Sequence, residues 1–135
     1  MRHVTVTTFR ERFPSLAFDS RELPRRASDL DVLFVSVLCG LVPGQRYSEK
    51  DLNAELQRWV LQVGGHFGVD YVTLRRHLVD AQVLTRDAAG ASYRVESSAR
   101  DFTFDPEILS IDVPALLASA EQERAERKRQ RLSRT

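Results

Sequence analysis

The sequence predicts an α+β fold, mostly helical, on three observations. Three stretches carry apolar residues at helical spacing behind a capping residue. Two short strand-like runs flank a glycine-containing turn directly after the third stretch. Hydrophobic residues make up 42% of the 135 residues and charged ones 29%, the balance of a chain that buries a core of its own.

Residues 3–9 alternate, with Val4 and Val6 on one side and Thr5 and Thr7 on the other, which predicts a short strand. Residues 10–27 mix arginines with Pro14 and Pro24 and keep no period, so they read as a connecting segment that wraps the core. Ser28 with Asp31 has capping-box spacing. Leu30, Leu33, Phe34, Val37, Leu38 and Leu41 then mark one helical face, and Pro43-Gly44 stops the helix. Ser48, with Asp51 behind it, caps a second helix over 48–62. Its stripe is Leu52, Leu56, Trp59, Val60 and Val63, and Gly64-Gly65 ends it. Asp70 caps a third helix over 70–82, with Leu74, Leu78 and Ala81 inward. Val83-Leu84-Thr85-Arg86 and Ser92-Tyr93-Arg94-Val95 around Gly90 predict a hairpin. Phe102-Thr103-Phe104 predicts a strand pairing with residues 4–8. Asp112 and Pro114 sit where an N-cap and an early-turn proline belong in a last helix. The chain thus divides into 1–27 (strand and connector), 28–95 (the compact unit), 96–111 (strand and connector) and 112–135 (C-terminal helix with a basic tail).

Helix, helix, helix, hairpin is the order of a winged helix, a class in which the second helix of the motif enters the DNA major groove. Here that helix is 70–82. Thr73, Arg75, Arg76 and His77 lie off its apolar face and can donate to bases or phosphates. Arg86 and Arg94 flank the wing. Structural roles stand beside these. Arg76 can pair with Asp80 at i, i+4, and Arg75 with Glu55 or Asp51 on the preceding helix. The link 63–69 is longer than a tight helix-turn-helix turn, and winged helices also serve as protein docking modules.

The runs Tyr47-Ser48-Glu49-Lys50-Asp51-Leu52-Asn53 and Asp70-Tyr71-Val72-Thr73-Leu74-Arg75-Arg76-His77-Leu78-Val79-Asp80 carry a resemblance. With Arg86 and Gly90-Ala91-Ser92-Tyr93, they make residues 23–95 resemble a bacterial domain family of unknown function. The resemblance implies a regulatory setting, because that domain often sits behind a helix-turn-helix module. It implies a recurrent polar set at Glu49, Asn53, Asp70, Arg75, Arg76 and Asp80, forming a binding surface or a polar network. It implies no catalytic residues. The stretch 64–69 is expanded relative to the family's short link. Against the family's pattern, the expectation is that the upstream module is absent, its place taken by 22 unrelated residues and a C-terminal helix.

The tail carries Arg124, Arg127, Lys128, Arg129, Arg131 and Arg134, with its acids Glu121, Glu123 and Glu126 all in the first half. Such a tail neutralises phosphates, although positive charge also suits a helix C-terminus. A polyanion contact is favoured slightly over a merely solvated end, and a third alternative is ordering on a protein partner or pairing with a second copy of the chain. The formal net charge is only +1, so any polyanion contact must come from local clusters of this kind.

His3, His66 and His77 are scattered without Cys or carboxylate at metal-ligand spacing, and no metal or cofactor is expected. Gly64-Gly65-His66-Phe67-Gly68 lacks the Lys-Ser/Thr of a phosphate-binding loop. Cys39, the one cysteine, reads as packed and inert, and rules out an intrachain disulfide. No apolar run is long enough to span a bilayer. The expectation is therefore a non-enzymatic, cytoplasmic nucleic-acid-binding protein linked to transcription, with DNA ahead of RNA as partner and no membrane. The alternative is an adaptor whose Glu49, Asn53 and Arg76 surface docks on a larger machine such as RNA polymerase or the ribosome.

Overall fold

The most apolar helix, α2 (Ala27–Leu38), sits at the centre of the molecule, with every residue from 31 to 38 buried. A computed structural model describes residues 1–134 and shows an α+β chain, mostly helical. Around α2 the chain runs β1 (Arg2–Val4), α1 (Val6–Asp19), α2, β2 (Arg46–Ser48), α3 (Glu49–Trp59), α4 (Tyr71–Asp80), β3 (Leu84–Arg86), β4 (Ser92–Val95), β5 (Phe102–Phe104) and α5 (Val113–Ser133).

The first of these departs from the alternation at residues 3–9. Only residues 2–4 are extended. Thr5 turns the chain, its side-chain oxygen accepting from the Thr8 backbone N–H as an N-cap, and α1 runs through the stretch expected to be a connector. The connector reading rested on Pro14, which lies inside α1. A proline in a helix interior costs about 3 kcal/mol. Phe9, Phe13, Leu16 and Ala17 are all buried on α1, and each large apolar side chain recovers about 1.5–3 kcal/mol. Burial wins, and the Phe9 and Phe13 rings stack with centroids 5.2 Å apart.

The capping box expected at Ser28 is not formed. The N-cap of α2 is Arg26, without a side-chain cap bond. Asp31 is instead turned inward, where Arg2 Nε donates to it at 2.6 Å. Asp29 accepts two bonds from Arg12, at 2.8 and 2.9 Å. These two ion pairs clip β1 and α1 onto the first turns of α2, where the helix dipole also favours the carboxylates. The helix ends at Leu38, short of the expected Pro43-Gly44 stop, and Leu41 lies beyond it; Gly40 there has φ +91°, open only to glycine at little cost.

The strand β2 is short and lay unmarked in the sequence. It pairs with β4, and β4 with β3, as an antiparallel sheet in the order β2-β4-β3. Ser48 ends β2 and caps α3, accepting from the Asp51 N–H at 3.1 Å. Beyond Trp59 the winding does not stop at Gly64-Gly65. It loosens into a π turn (Val60–Gly64) and then a 3₁₀ turn (Gly65–Phe67). That extra length places Phe67 in the core against Trp59, ring centroids 6.1 Å apart. Asp70 caps α4 as expected, accepting from the Thr73 N–H at 2.7 Å. β1 and β5 form a second, parallel pair in the register Arg2↔Phe102 to Val4↔Phe104, displaced from the expected pairing with 4–8. Asp112 caps α5 through the Ala115 N–H.

Candidate functional site

Leu74 and Leu78 are buried and fix the roll of α4 on α3. With those two positions inward, Val72, Arg75, Arg76, Val79 and Asp80 turn towards the β3–β4 hairpin. Along the hairpin, cross-strand partners share a face. Tyr47, Tyr93 and Arg86 are such partners, on the face that also carries buried Val95 and Leu84. Between α4 and this face lies a cavity of about 240 Å³ lined by Val72, Arg75, Arg76, Val79, Asp80, Arg86 and Tyr93.

The three guanidiniums are held differently. Arg75 is 19% exposed, and its Nη1 donates to Asn53 Oδ1 at 2.5 Å with Glu49 Oε1 at 3.3 Å. Its guanidinium carbon lies 5.7 Å from the centroid of the Tyr93 ring. Arg86 lies over the same ring at 5.8 Å. A ring face attracts a cation by about 0.5–1 kcal/mol at a surface site. Gly90 makes room for this arrangement, since a Cβ there would stand 3.0 Å from Arg86 Nη2, and its φ of +72° favours glycine again. Arg76 is exposed. Neither Arg76 nor Arg86 has an ion-pair partner among the described residues, so the expected Arg76–Asp80 pair is not made. Arg75 pairs with Glu49 and Asn53 rather than with Glu55 or Asp51; Glu55 takes Arg58.

The other expected contacts divide. His77 turns towards the body of the molecule and stacks on Phe34, centroids 6.4 Å apart, away from the α4–hairpin cavity. Thr73 is half-buried, and its N–H is spent on the Asp70 cap. That hydrogen bond holds the Asp70 carboxyl below the usual aspartate range. Arg94 is exposed on the outer face of the sheet, directly across from Arg46, which the sequence reading did not single out. Its signal was hidden because β2 is only three residues long.

On α5, Arg124 is an anchor. It donates twice to Asp19, at 3.0 and 2.9 Å, and lies over the Phe18 ring at 4.8 Å. Asp19 is held below its ordinary pKa by that bond. Arg129 pairs with Glu126 one turn back. Arg127, Lys128, Arg131 and Arg134 are exposed and have no ion-pair partner among the described residues.

A second cavity of about 240 Å³ adjoins Cys39, Glu55, Arg58, Trp59 and Asp112. Burial pushes the Cys39 thiol up to about 12, and its Sγ points at the Val35 and Ile108 carbonyls, so it is a packed thiol and no nucleophile at neutral pH. Trp59 is core, its Nε1 donating to Ser36 Oγ at 3.0 Å. Among the described residues no group of His, Cys, Asp or Glu is placed to hold a metal ion, and no helix is long and apolar enough to cross a membrane.

No curated protein and no solved structure matches the chain. A family model does match, over residues 21–95, more than half of the chain. The match begins between α1 and α2 and ends on the last residue of β4, so it takes in the central helix, the three-stranded sheet and the whole lining of the α4–hairpin cavity. The chain belongs to the family of uncharacterized proteins conserved in bacteria, DUF2087.

Proposed function

We propose that residues 21–95 are a winged-helix module that binds nucleic acid, DNA ahead of RNA, in a transcription-linked regulatory role. The observation that carries the reading is the convergence of Arg75, Arg76 and Arg86 on the cleft between α4 and the hairpin, with two of the three making no ion pair among the described residues. The element order α2, β2, α3, α4, β3, β4 and the strand order β2-β4-β3 agree with a winged helix, in which α4 is the groove helix and the hairpin the wing. On this reading Arg76 is the groove contact, Arg86 and Arg94 touch backbone, and Arg75 is a fixed cation behind them. The exposed cations Arg127, Lys128, Arg131 and Arg134 supply a second, sequence-independent grip.

The test is binding of the full chain to random duplex DNA and to structured RNA at about 50 mM and about 200 mM salt. Binding that weakens steeply between the two conditions is expected, with DNA held more tightly. Absence of salt-dependent binding to either polymer defeats the proposal.

The adaptor reading is favoured by the exposed acids Glu49 and Asp51 in the first turn of α3, next to α4, which would repel phosphates. Recovery of one stoichiometric protein partner after nuclease treatment would support it. Loss of all partners with nuclease would count against it.

A further inference from the structure

The α4–hairpin cavity is built for a particular chemical group. We propose that it binds a phosphate, held by Arg76 and Arg86 against the fixed guanidinium of Arg75; its preferred source, a nucleic-acid backbone phosphodiester, rests on the reading above.

Convergence is the first argument. Three guanidiniums and one carboxylate, Asp80, line the same small concavity. Like charges brought together cost free energy unless an anion joins them. Glu49 answers Arg75 alone.

Preorganisation is the second. Arg75 is tied to Asn53 and Glu49, and both Arg75 and Arg86 rest on the Tyr93 ring. Gly90 leaves the space that Arg86 fills. The rotamer entropy that a long cation usually loses on binding, about 0.5–1.5 kcal/mol per side chain, is largely spent before any ligand arrives. A guanidinium held over a ring face keeps N–H groups at its edge that can still donate to an anion.

Shape is the third. A planar carboxylate takes one guanidinium fork, whereas the oxygens of a tetrahedral phosphate can accept from several at once. A concavity of about 240 Å³ has room for such a group with its ester substituents. Val72 and Val79 give the concavity an apolar rim on that side.

Asp80 fixes the sign of a control. Its carboxylate faces the same space and repels an anion there, so Asp80→Asn strengthens phosphate binding while the arginine variants weaken it.

The experiment titrates the full chain with inorganic phosphate, and separately with acetate, at constant ionic strength, following amide shifts or melting temperature. The proteins are wild type, Arg76→Gln, Arg86→Gln, Asp80→Asn and, as a control on α5, Arg127→Gln. Saturable phosphate binding is expected in wild type and Arg127→Gln. Each of the two arginine variants should weaken it about tenfold or more, as loss of a charge-assisted hydrogen bond does. Arg76 is exposed and makes no ion pair among the described residues, interacting with Asp70 only through space, so its variant keeps the fold even if Arg86→Gln does not. A duplex DNA titration against salt names the source. If the slope of log K against log salt falls by about 0.9 in either variant, the phosphate belongs to the backbone. If phosphate binding is lost while the slope is unchanged, the ligand is a free phosphorylated molecule and the phosphate site stands. Phosphate binding with no binding to duplex DNA or to structured RNA defeats the nucleic-acid reading alone. No phosphate response in wild type, an undiminished response in both arginine variants, or equal binding of acetate overturns the site, whether or not DNA binds.

Discussion

Arg75 separates two roles that one side chain can play. On a helix wheel it is a donor beside Arg76, equally ready for a groove. In space it is committed, since Asn53 and Glu49 hold it and Tyr93 lies beneath it. Substituting Asn53 by Ala removes one of these holds. Chemical denaturation should show a loss of about 1–2 kcal/mol, and the Arg75 side-chain resonances should broaden. A change below about 0.3 kcal/mol would mean that the network is ornamental. Ser48 joins strand to helix by a single cap, and Ser48→Ala should cost about 1 kcal/mol in the same assay. Arg76 carries no such debt, so its substitution should leave stability unchanged and act only on ligand binding.

At the scale of elements, α1 is the sharpest departure from what the sequence suggests. Its Phe9, Phe13 and Leu16 are spaced for a helix, but Pro14 and the adjacent alternation of Val and Thr masked them. Phe13→Ala should destabilise the chain by about 3–5 kcal/mol, as a buried aromatic does; a loss under about 1 kcal/mol would mean that α1 is not part of the core. The helices capped by Ser48, Asp70 and Asp112 were legible because a cap acts within three residues. The hairpin was legible from Gly90 and its two flanking runs. Strand β2 was not, because three residues hold no period and its partner lies more than 40 residues away. The Ser28–Asp31 cap failed for a related reason: Asp31 is claimed by Arg2 from the other end of the chain's first half. The site was half legible. The residue types and spacing of Arg75, Arg76, Arg86 and Tyr93 stood in the sequence. Which arginine is pinned and which is open is set by contacts with Asn53 and Glu49 that only the packing of α3 on α4 creates. His77 shows the limit of residue type as a guide, since it flanks the Leu74–Leu78 stripe and that flank meets Phe34 rather than solvent.

At the scale of the molecule, ion pairs fasten the outer segments in series, with Arg2–Asp31 tying β1 to α2. Arg12–Asp29 joins α1 to α2, and Arg124–Asp19 joins α5 to α1. Hydrogen bonds from Arg12, Arg124 and His3 hold Asp29, Asp19 and Asp105 below the ordinary aspartate value of 3.8. A carboxyl with a depressed folded pKa stabilises the fold above its unfolded value, and that contribution is lost as pH falls through the folded one. Melting temperature should therefore be flat from about pH 6 to about pH 4 and fall below that, and Asp29→Asn should flatten the fall. A melting temperature that rises on acidification would reverse the sign and refute these pairings. Beyond Arg124, α5 continues for about another 15 Å, at about 1.5 Å per residue, with its cations exposed. Removing residues 125–135 should lower polymer affinity at low salt while leaving the melting temperature within a few degrees, because among the described residues none beyond Val113 is buried.

Everything functional in this account turns on α4 and the hairpin forming one contact surface. The most direct measurement is an amide chemical-shift map of the full chain titrated with a short DNA duplex at low salt. The largest shifts are expected across Tyr71–Asp80 and around Arg86, with smaller ones at Arg94 on the outer face of the sheet and on the outer half of α5. Shifts confined to α5 or to the α1 side, with α4 and the hairpin silent, would contradict it.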